Sequence, residues 1–167
     1  MAIFGALFVS FVTDRLKQVD LYNASQQALD FNFGGIYTLL LLTSSWFVVI
    51  AVHAAKADRL RQVPIMLALG AVCGAAFASM KVVEYAAKIR AGITMKTNDF
   101  FMYYFTMTGI HLLHVIAGTV LLLIMYRKAR AGGYHGANFA GLEMGASYWH
   151  MVDLLWIVLF PLLYLMR

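Results

Sequence analysis

Two apolar segments of this chain carry polar and ionisable side chains at helical spacing. In the last segment, Glu143, Ser147 and His150 fall on one face at about 100° per residue, with Asp153 at its edge. An earlier segment carries a second stripe, made of Tyr104, Thr108, His111, His114 and Gly118. Polar groups are costly in hydrocarbon, so we expect both stripes to turn inward. Trp149 and Trp156 then point roughly the opposite way.

Imidazoles and carboxylates together could hold a haem or a metal. Ligation of a haem by two histidines needs two helices, which His150 with His111 or His114 could supply. A di-metal oxygenase site needs a dense set of carboxylates and histidines, which the same stripes superficially offer with Glu84. Ferritin-like di-iron sites, however, need a Glu-x-x-His pair on each of two helices, and the sequence contains no such pair.

The interpretation we favour for these side chains is a polar network between helices. Histidines would face carboxylates and hold the third, fourth and fifth apolar segments in register. Each such bond contributes only about 1 kcal/mol in a membrane, whereas an unpaired group costs several times more. The network therefore specifies which helices pair more than it stabilises them.

A second ionic group lies in the third apolar segment. Glu84 stands three residues after Lys81 and four before Lys88, so both ammonium groups can reach its carboxylate on one helical face. One interpretation is an internally neutralised pair near the membrane interface, with the lysines snorkelling to water. The alternative is that Glu84, next to Tyr85, binds a lipid headgroup or a partner helix.

The composition is that of an integral membrane protein. The 167 residues are 62% hydrophobic and only 13% charged, against about half and a quarter in soluble domains. The single cysteine, Cys73, excludes an internal disulfide. The net charge of +5 comes from Lys and Arg at segment ends, which is typical of membrane loops and does not indicate nucleic-acid binding. No cleaved signal sequence is evident at the N-terminus.

The apolar runs predict an all-α, polytopic membrane helix bundle in one domain, residues 1–167. Five transmembrane segments are expected, at about 1–13, 35–55, 64–88, 100–126 and 143–165, and the first is too short to span alone. A surface helix is expected near 24–29. Gly70-x-x-x-Gly74 predicts a close helix contact, as do Gly109 and Gly118. Basic residues close to the helix ends weakly favour a cytoplasmic second and fourth loop.

Several motifs resemble one membrane-protein family. They are Glu84-Tyr85, Asn98-Asp99, Thr108-Gly109-Ile110-His111-Leu112-Leu113-His114-Val115 with Gly118, Gly141-Leu142-Glu143, and Tyr148-Trp149-His150-Met151-Val152-Asp153-Leu154-Leu155-Trp156. In order, spacing and residue type they resemble subunit III of haem-copper cytochrome oxidases. The short length and the Leu39-Leu40-Leu41-Leu42-Thr43-Ser44-Ser45 run resemble its small bacterial, NorE-like branch, which is associated with nitric oxide reductase.

The resemblance implies a non-catalytic accessory subunit of the bacterial inner membrane. Haem and copper, or iron, would be in the partner, the catalytic subunit I, and this chain would hold no cofactor or metal. It would support assembly, bind structural and anionic phospholipid, and sustain turnover in aerobic respiration or nitric oxide reduction. The positions implied to contact helices, lipid or other subunits are Glu84, Tyr85, His111, His114, Glu143, Trp149, His150 and Asp153.

One difference between this sequence and the family limits what the resemblance implies. The family usually carries a carboxylate early in the helix that corresponds to residues 1–13, and this chain begins beyond that point. A role of that carboxylate in proton uptake is therefore not carried over. Two alternatives stay open: a free-standing membrane redox enzyme with its own haem or di-iron site, and an assembly factor that is not retained in the mature complex.

Overall fold

The computed structural model describes residues 2–27, 29, 31–134 and 139–165, and these residues contain no strand. The helices are α1 Ala2–Lys17, α2 Val19–Gln27, α3 Phe31–Lys56, α4 Gln62–Arg90, α5 Asp99–Arg130 and α6 Ala140–Phe160, followed by a π-helical turn, Pro161–Leu165. The predicted all-α class is confirmed. Of the predicted ranges, residue 1 of the first span and residue 28 of the surface helix lie outside the described residues.

Among the described residues, four helices are long and apolar enough to cross a membrane. They are Asn32–Lys56, Gln62–Arg90, Asp99–Arg130 and Ala140–Leu165. A span needs about 20 residues, and α1 has 16. The first of the five predicted spans is thus not among the four, and the count of five stays a prediction.

The four long helices form a closed antiparallel bundle. Each packs on its neighbour in sequence, and α6 returns to pack on α3. The loops after α3 and α5 lie at one end of the bundle, here called the basic end because Lys56, Arg59, Arg61, Arg127, Lys128 and Arg130 flank them. The opposite end, where α4 finishes and α5 begins, is here called the aromatic end.

The helices extend beyond the apolar runs from which they were predicted. Both α4 and α5 run on through their terminal basic residues, as far as Arg90 and Arg130, because cations favour the negative end of the helix dipole. At the start of α5, the Asn98 side chain accepts a hydrogen bond from the Phe101 N–H. The surface helix predicted near 24–29 lies earlier, at Val19–Gln27. Pro161 lacks an N–H, and the helix widens there into the π-helical turn.

The short helices α1 and α2 lie against α5. The ring of Phe11 contacts the rings of Tyr22, Phe100 and Tyr103. The Tyr103 hydroxyl donates to Asp14 Oδ2 at 2.6 Å, and this bond holds the pKa of the Asp14 carboxyl below its usual value. An aromatic cluster with one charged hydrogen bond therefore docks α1.

Trp149 fills the centre of the bundle, between α4 and α5. A Cβ added at Gly74 would come within 2.6 Å of Trp149 Cη2, and one at Gly118 within 2.7 Å of Cε3. Trp149 and Trp156 are both buried, which corrects the prediction that they point outward. The reason is that two glycines leave room for an indole that buries far more apolar area than a polar side chain.

The other two glycines predicted to pack differ from each other. A Cβ at Gly70 would approach Val48 Cγ2 of α3 to 3.1 Å, so α3 and α4 come close there. The predicted close helix contact at Gly109 is wrong, since a Cβ at this position would meet nothing within 4 Å. Its half-buried face of α5 is turned away from the close contacts of the bundle.

We expect Gly118→Ala to destabilise the bundle by about 1–3 kcal/mol, because the added methyl group overpacks the Trp149 site. Gly109→Ala is the matched control on the same helix. Its methyl group meets open space, so the change is neutral or stabilises by up to about 1 kcal/mol through helix propensity. The measurement is reversible unfolding in mixed micelles, followed by tryptophan fluorescence. Equal effects of the two substitutions would contradict the Trp149 packing described above.

Candidate functional site

A fully buried lysine lies at the centre of the aromatic end. The Lys81 side chain is 0% exposed, and its Nζ donates to Glu84 Oε2 at 2.8 Å. The same Nζ donates to the hydroxyl oxygens of Tyr104 on α5 and Tyr164 in the π-helical turn, both at 3.1 Å. All three ammonium protons thus have acceptors. The predicted snorkelling is wrong for Lys81, because its acceptors lie inside the bundle.

Glu84 closes this network from the other side. The Tyr104 hydroxyl donates to Glu84 Oε1 at 2.7 Å, and that of Tyr164 lies 3.4 Å from the same oxygen. Lys88 Nζ lies 3.7 Å from Oε1, so both lysines reach the carboxylate, as the spacing on α4 predicts. Each tyrosine accepts from the ammonium group and donates to the carboxylate, which joins α4 to α5 and to the end of α6.

Aromatic rings enclose the Lys81 ammonium group. The ring centroids of Tyr37, Tyr104 and Trp156 lie 5.0, 5.2 and 5.2 Å from Nζ. The negative faces of the rings partly replace lost hydration of the cation. Tyr37 belongs to α3 and Trp156 to α6, so all four long helices contribute to the cluster. We call Lys81, Glu84, Tyr37, Tyr104, Trp156 and Tyr164 the lysine cluster.

Tyr85 extends this polar region along α5. Its hydroxyl is hydrogen-bonded to the Thr108 hydroxyl, and Thr108 also donates to the Tyr104 carbonyl oxygen at 2.6 Å. A groove of about 550 Å³ opens beside the lysine cluster between α3 and α4. Glu84 and Lys88 are its charged lining residues, and its other walls are mostly apolar. The predicted roles of Glu84 and Tyr85 in lipid or subunit contact stay predictions.

The two histidines of α5 do not meet carboxylates. His111 is buried, stacks on Trp156 at 5.3 Å between ring centroids, and meets the Phe77 ring edge-on. Neither of its nitrogens has a hydrogen-bond partner among the described residues. His114 Nδ1 is hydrogen-bonded to the Ile110 carbonyl oxygen at 2.8 Å, and its ring lies against Phe4 of α1. The predicted histidine–carboxylate pairing is therefore wrong on this helix, because aromatic rings occupy the space around His111.

The polar stripe of α6 follows its contact with α3. At the basic end, Glu143 pairs with Lys56 at 2.6 Å, and both side chains are about half exposed. Deeper in the bundle, His150 Nδ1 lies 2.5 Å from the Ser45 hydroxyl oxygen. Only Asp153 is fully buried, so the prediction that the whole stripe turns inward is corrected. Trp149 takes the interior position next to Gly74 and Gly118 instead.

No three side chains of His, Cys, Asp or Glu come together in an arrangement suited to a metal ion within the described parts of the chain. The histidines considered for a paired haem site lie in separate surroundings. His150 is hydrogen-bonded to Ser45 of α3, and His111 is stacked on the Trp156 ring.

The sequence matches one family over nearly its whole length. The family model described as Cytochrome c oxidase subunit III aligns with residues 2–167. The chain belongs to the cytochrome c oxidase subunit III family. This confirms the resemblance drawn from the motifs, whereas placement in the NorE-like branch stays a prediction.

Three relatives named Cytochrome c oxidase subunit 3 illustrate the similarity. The protein of Thermostichus vulcanus is 37% identical over 132 residues, which cover 78% of this chain and 64% of the relative. That of Synechocystis sp. is 30% identical over 166 residues, covering 99% and 70%. That of Alkalihalophilus pseudofirmus is 33% identical over 150 residues, covering 86% and 69%. The chain thus spans less than two thirds of the Thermostichus vulcanus protein.

Sequence reasoning missed several partners within this subunit III fold. Nothing in the spacing of Tyr37 and Tyr164 indicates that their rings meet around Lys81. From the sequence, Ser44 and Ser45 have no assigned partner and are used only as part of the run that resembles the family. Ser44 in fact donates across to the Gly70 carbonyl oxygen at 2.8 Å, and Ser45 pairs with His150. Two adjacent serines in an otherwise apolar helix were the one available signal.

We expect Lys81→Met to destabilise the protein by about 3–5 kcal/mol, because it leaves the mostly buried Glu84 without its closest cation. The double substitution Lys81→Met, Glu84→Gln should recover part of this loss, since it removes the unpaired charge. The matched control is Lys56→Met at the half-exposed pair with Glu143, where we expect less than about 1 kcal/mol. Denaturant unfolding in micelles measures all three, and a Lys81→Met effect as small as the control would contradict the buried pair.

Proposed function

We propose that this chain is a non-catalytic subunit of a respiratory haem-copper oxidoreductase. It binds beside the catalytic subunit I, which carries the haem and the copper or iron, and it supports assembly and sustained turnover of that subunit. The observation that carries the proposal is the subunit III family match over residues 2–167. The four membrane-length helices support a multi-pass location, which we propose to be the bacterial inner membrane.

An accessory role is supported by the polar groups of the long helices, most of which bind one another. In the lysine cluster the ammonium group, the carboxylate and two tyrosine hydroxyls bind one another across the helices. Ser45 and His150 join α3 to α6. These side chains hold a rigid scaffold, and the outward faces carry large apolar residues such as Ile3, Leu113 and Val120. Such faces suit contact with lipid or with the apolar helices of a partner.

Co-purification tests the proposal. The full-length chain, tagged and expressed in its own host, is isolated from membranes in mild detergent. We expect a haem-containing catalytic subunit in constant ratio to the tagged chain, with the haem absorbance following the partner through a further separation step. Stoichiometric haem that stays with the isolated chain would instead favour the free-standing redox enzyme. Capture only during biogenesis, and not in the mature complex, would favour the assembly factor.

Metal analysis of the same complex identifies the class of partner. Copper together with haem indicates an aerobic terminal oxidase. Haem with non-haem iron and no copper indicates the nitric oxide reductase that the NorE-like resemblance implies. We propose the oxidase first, because the three relatives described above carry oxidase names.

We expect His150→Leu to lower the yield of the complex and its thermal midpoint, because it removes the bond between α6 and Ser45 of α3. The haem spectrum of the partner should not change. The matched control is His53→Leu, an exposed histidine of α3 that lines the same groove between α3 and α6 as His150, and this variant should assemble normally. A lost haem band in His150→Leu would contradict a purely supporting role for this histidine.

We also expect the basic end to retain anionic phospholipid, at about 1 kcal/mol per basic residue near the surface. Neutralising Arg59, Arg61 and Arg127 to Gln should lower the ratio of phosphatidylglycerol to phosphatidylethanolamine that co-purifies. Neutralising Lys17, Arg90 and Lys96, away from the basic end, is the control with equal charge change. Lipid mass spectrometry gives the ratio, and an equal effect of both triple variants would refute a preference at the basic end.

A further inference from the structure

A buried carboxyl group lies in the middle of the membrane-length part of α6. Asp153 is 3% exposed, and neither of its carboxyl oxygens has a hydrogen-bond partner among the described residues. An ionised carboxylate is unstable in hydrocarbon without a cation or water beside it. The buried ammonium group of Lys81 has three hydrogen-bond acceptors, whereas Asp153 has no comparable set of partners among the described residues.

A groove leads toward Asp153 from the basic end. It lies between the antiparallel helices α3 and α6 and has a volume of about 350 Å³. The Lys56–Glu143 pair stands at its mouth. Its lining residues are Val49, Val52, His53, Glu143, Ala146, Ser147 and His150. Glu143, Ser147 and His150 recur at one face of α6, so the polar side of the groove runs continuously inward for two turns.

Ser45 connects the inner end of the groove to the carboxyl group. Its hydroxyl oxygen lies 2.5 Å from His150 Nδ1, and the same hydroxyl faces Asp153. A serine hydroxyl donates one hydrogen bond and accepts two. It can therefore be hydrogen-bonded to an imidazole and, at the same time, to a carboxyl group or a water molecule. Asp153 lies three residues beyond His150 on α6, which places the carboxyl one turn deeper than the groove lining.

We infer that the α3–α6 groove admits water as far as Ser45 and that Asp153, at its inner end, binds and releases a proton. The proton comes from the aqueous phase at the basic end, adds to one carboxylate oxygen to give the neutral acid, and returns to water when it leaves. This inference goes beyond the proposed supporting role, since it assigns a protonation site within the membrane to this chain itself.

Titratable groups from three other helices also face α6. On α3 they are His53 and Lys56, both toward the mouth of the groove. On α5 they are His111, stacked on Trp156, and His114, whose Nδ1 is already bonded to a carbonyl oxygen. Lys81 of α4 lies over the Trp156 ring but is bound to Glu84. Within the described part of the chain, the Ser45 hydroxyl is the side-chain group that interacts with the Asp153 carboxyl.

Cysteine accessibility tests the water in the groove. In a Cys73→Ala background, Ser147→Cys and Val49→Cys place a thiol in the groove, and Ile124→Cys places one on the lipid-facing side of α5 at a similar distance from the basic end. Native membranes are treated with a water-soluble thiosulfonate. Because only the thiolate reacts, we expect both groove cysteines to react at least about tenfold faster than Ile124→Cys. Equal rates would overturn the hydrated groove.

Infrared spectroscopy of the purified complex tests the proton site. We expect a protonated carboxyl C=O band that shifts on transfer to deuterated buffer and disappears at high pH and in Asp153→Asn. Ser45→Ala should slow the deuterium exchange of this band without removing it. A band that is absent from the wild type at every pH between mildly acidic and neutral, or one unchanged in Asp153→Asn, would overturn the assignment. So would a wild-type band that never exchanges.

Discussion

The positive charge of Lys81, held inside an apolar bundle, is the constraint on which the rest of the structure depends. A buried ammonium group is tolerated only when it is paired and its protons are accepted. Here the acceptors and enclosing rings come from α3, α4, α5, α6 and the π-helical turn. Each long helix must therefore be placed and rotated correctly before the charge is satisfied, so the lysine cluster sets the register of the bundle at its aromatic end.

The polar groups are arranged differently at the two ends of the bundle. The aromatic end satisfies its buried charges completely through tyrosines that both accept and donate. The middle is organised by Trp149, which occupies a space left by Gly74 and Gly118 and displaces the polar stripe of α6 toward α3. From there to the basic end the polar groups line a groove. The structure thus combines a tightly hydrogen-bonded charge cluster at one end with a partly polar groove at the other.

The short helices belong to the periphery of this scaffold. Their contacts are aromatic rings around Phe11 and polar bonds near the start of α5, where Asn98 caps the helix and donates to Ser25. The long helices keep most of their exposed surface apolar. A bundle of this form presents apolar faces outward and keeps most of its polar contacts between its own helices.

By itself the sequence determined the membrane class and the four long helices, because these depend on the length of the apolar runs. Spacing along one helix determined that both lysines reach Glu84. The order of the motifs determined the family. Only the tertiary structure decided that Tyr37, Tyr104 and Trp156 enclose Lys81, that Ser45 meets His150, that His111 lacks a carboxylate, and that Gly109 makes no close contact. The physical reason is that helical periodicity fixes neighbours along one helix. The rotation of each helix about its own axis is settled by competition for the interior, and there the indole of Trp149 took the place that the polar stripe was expected to fill.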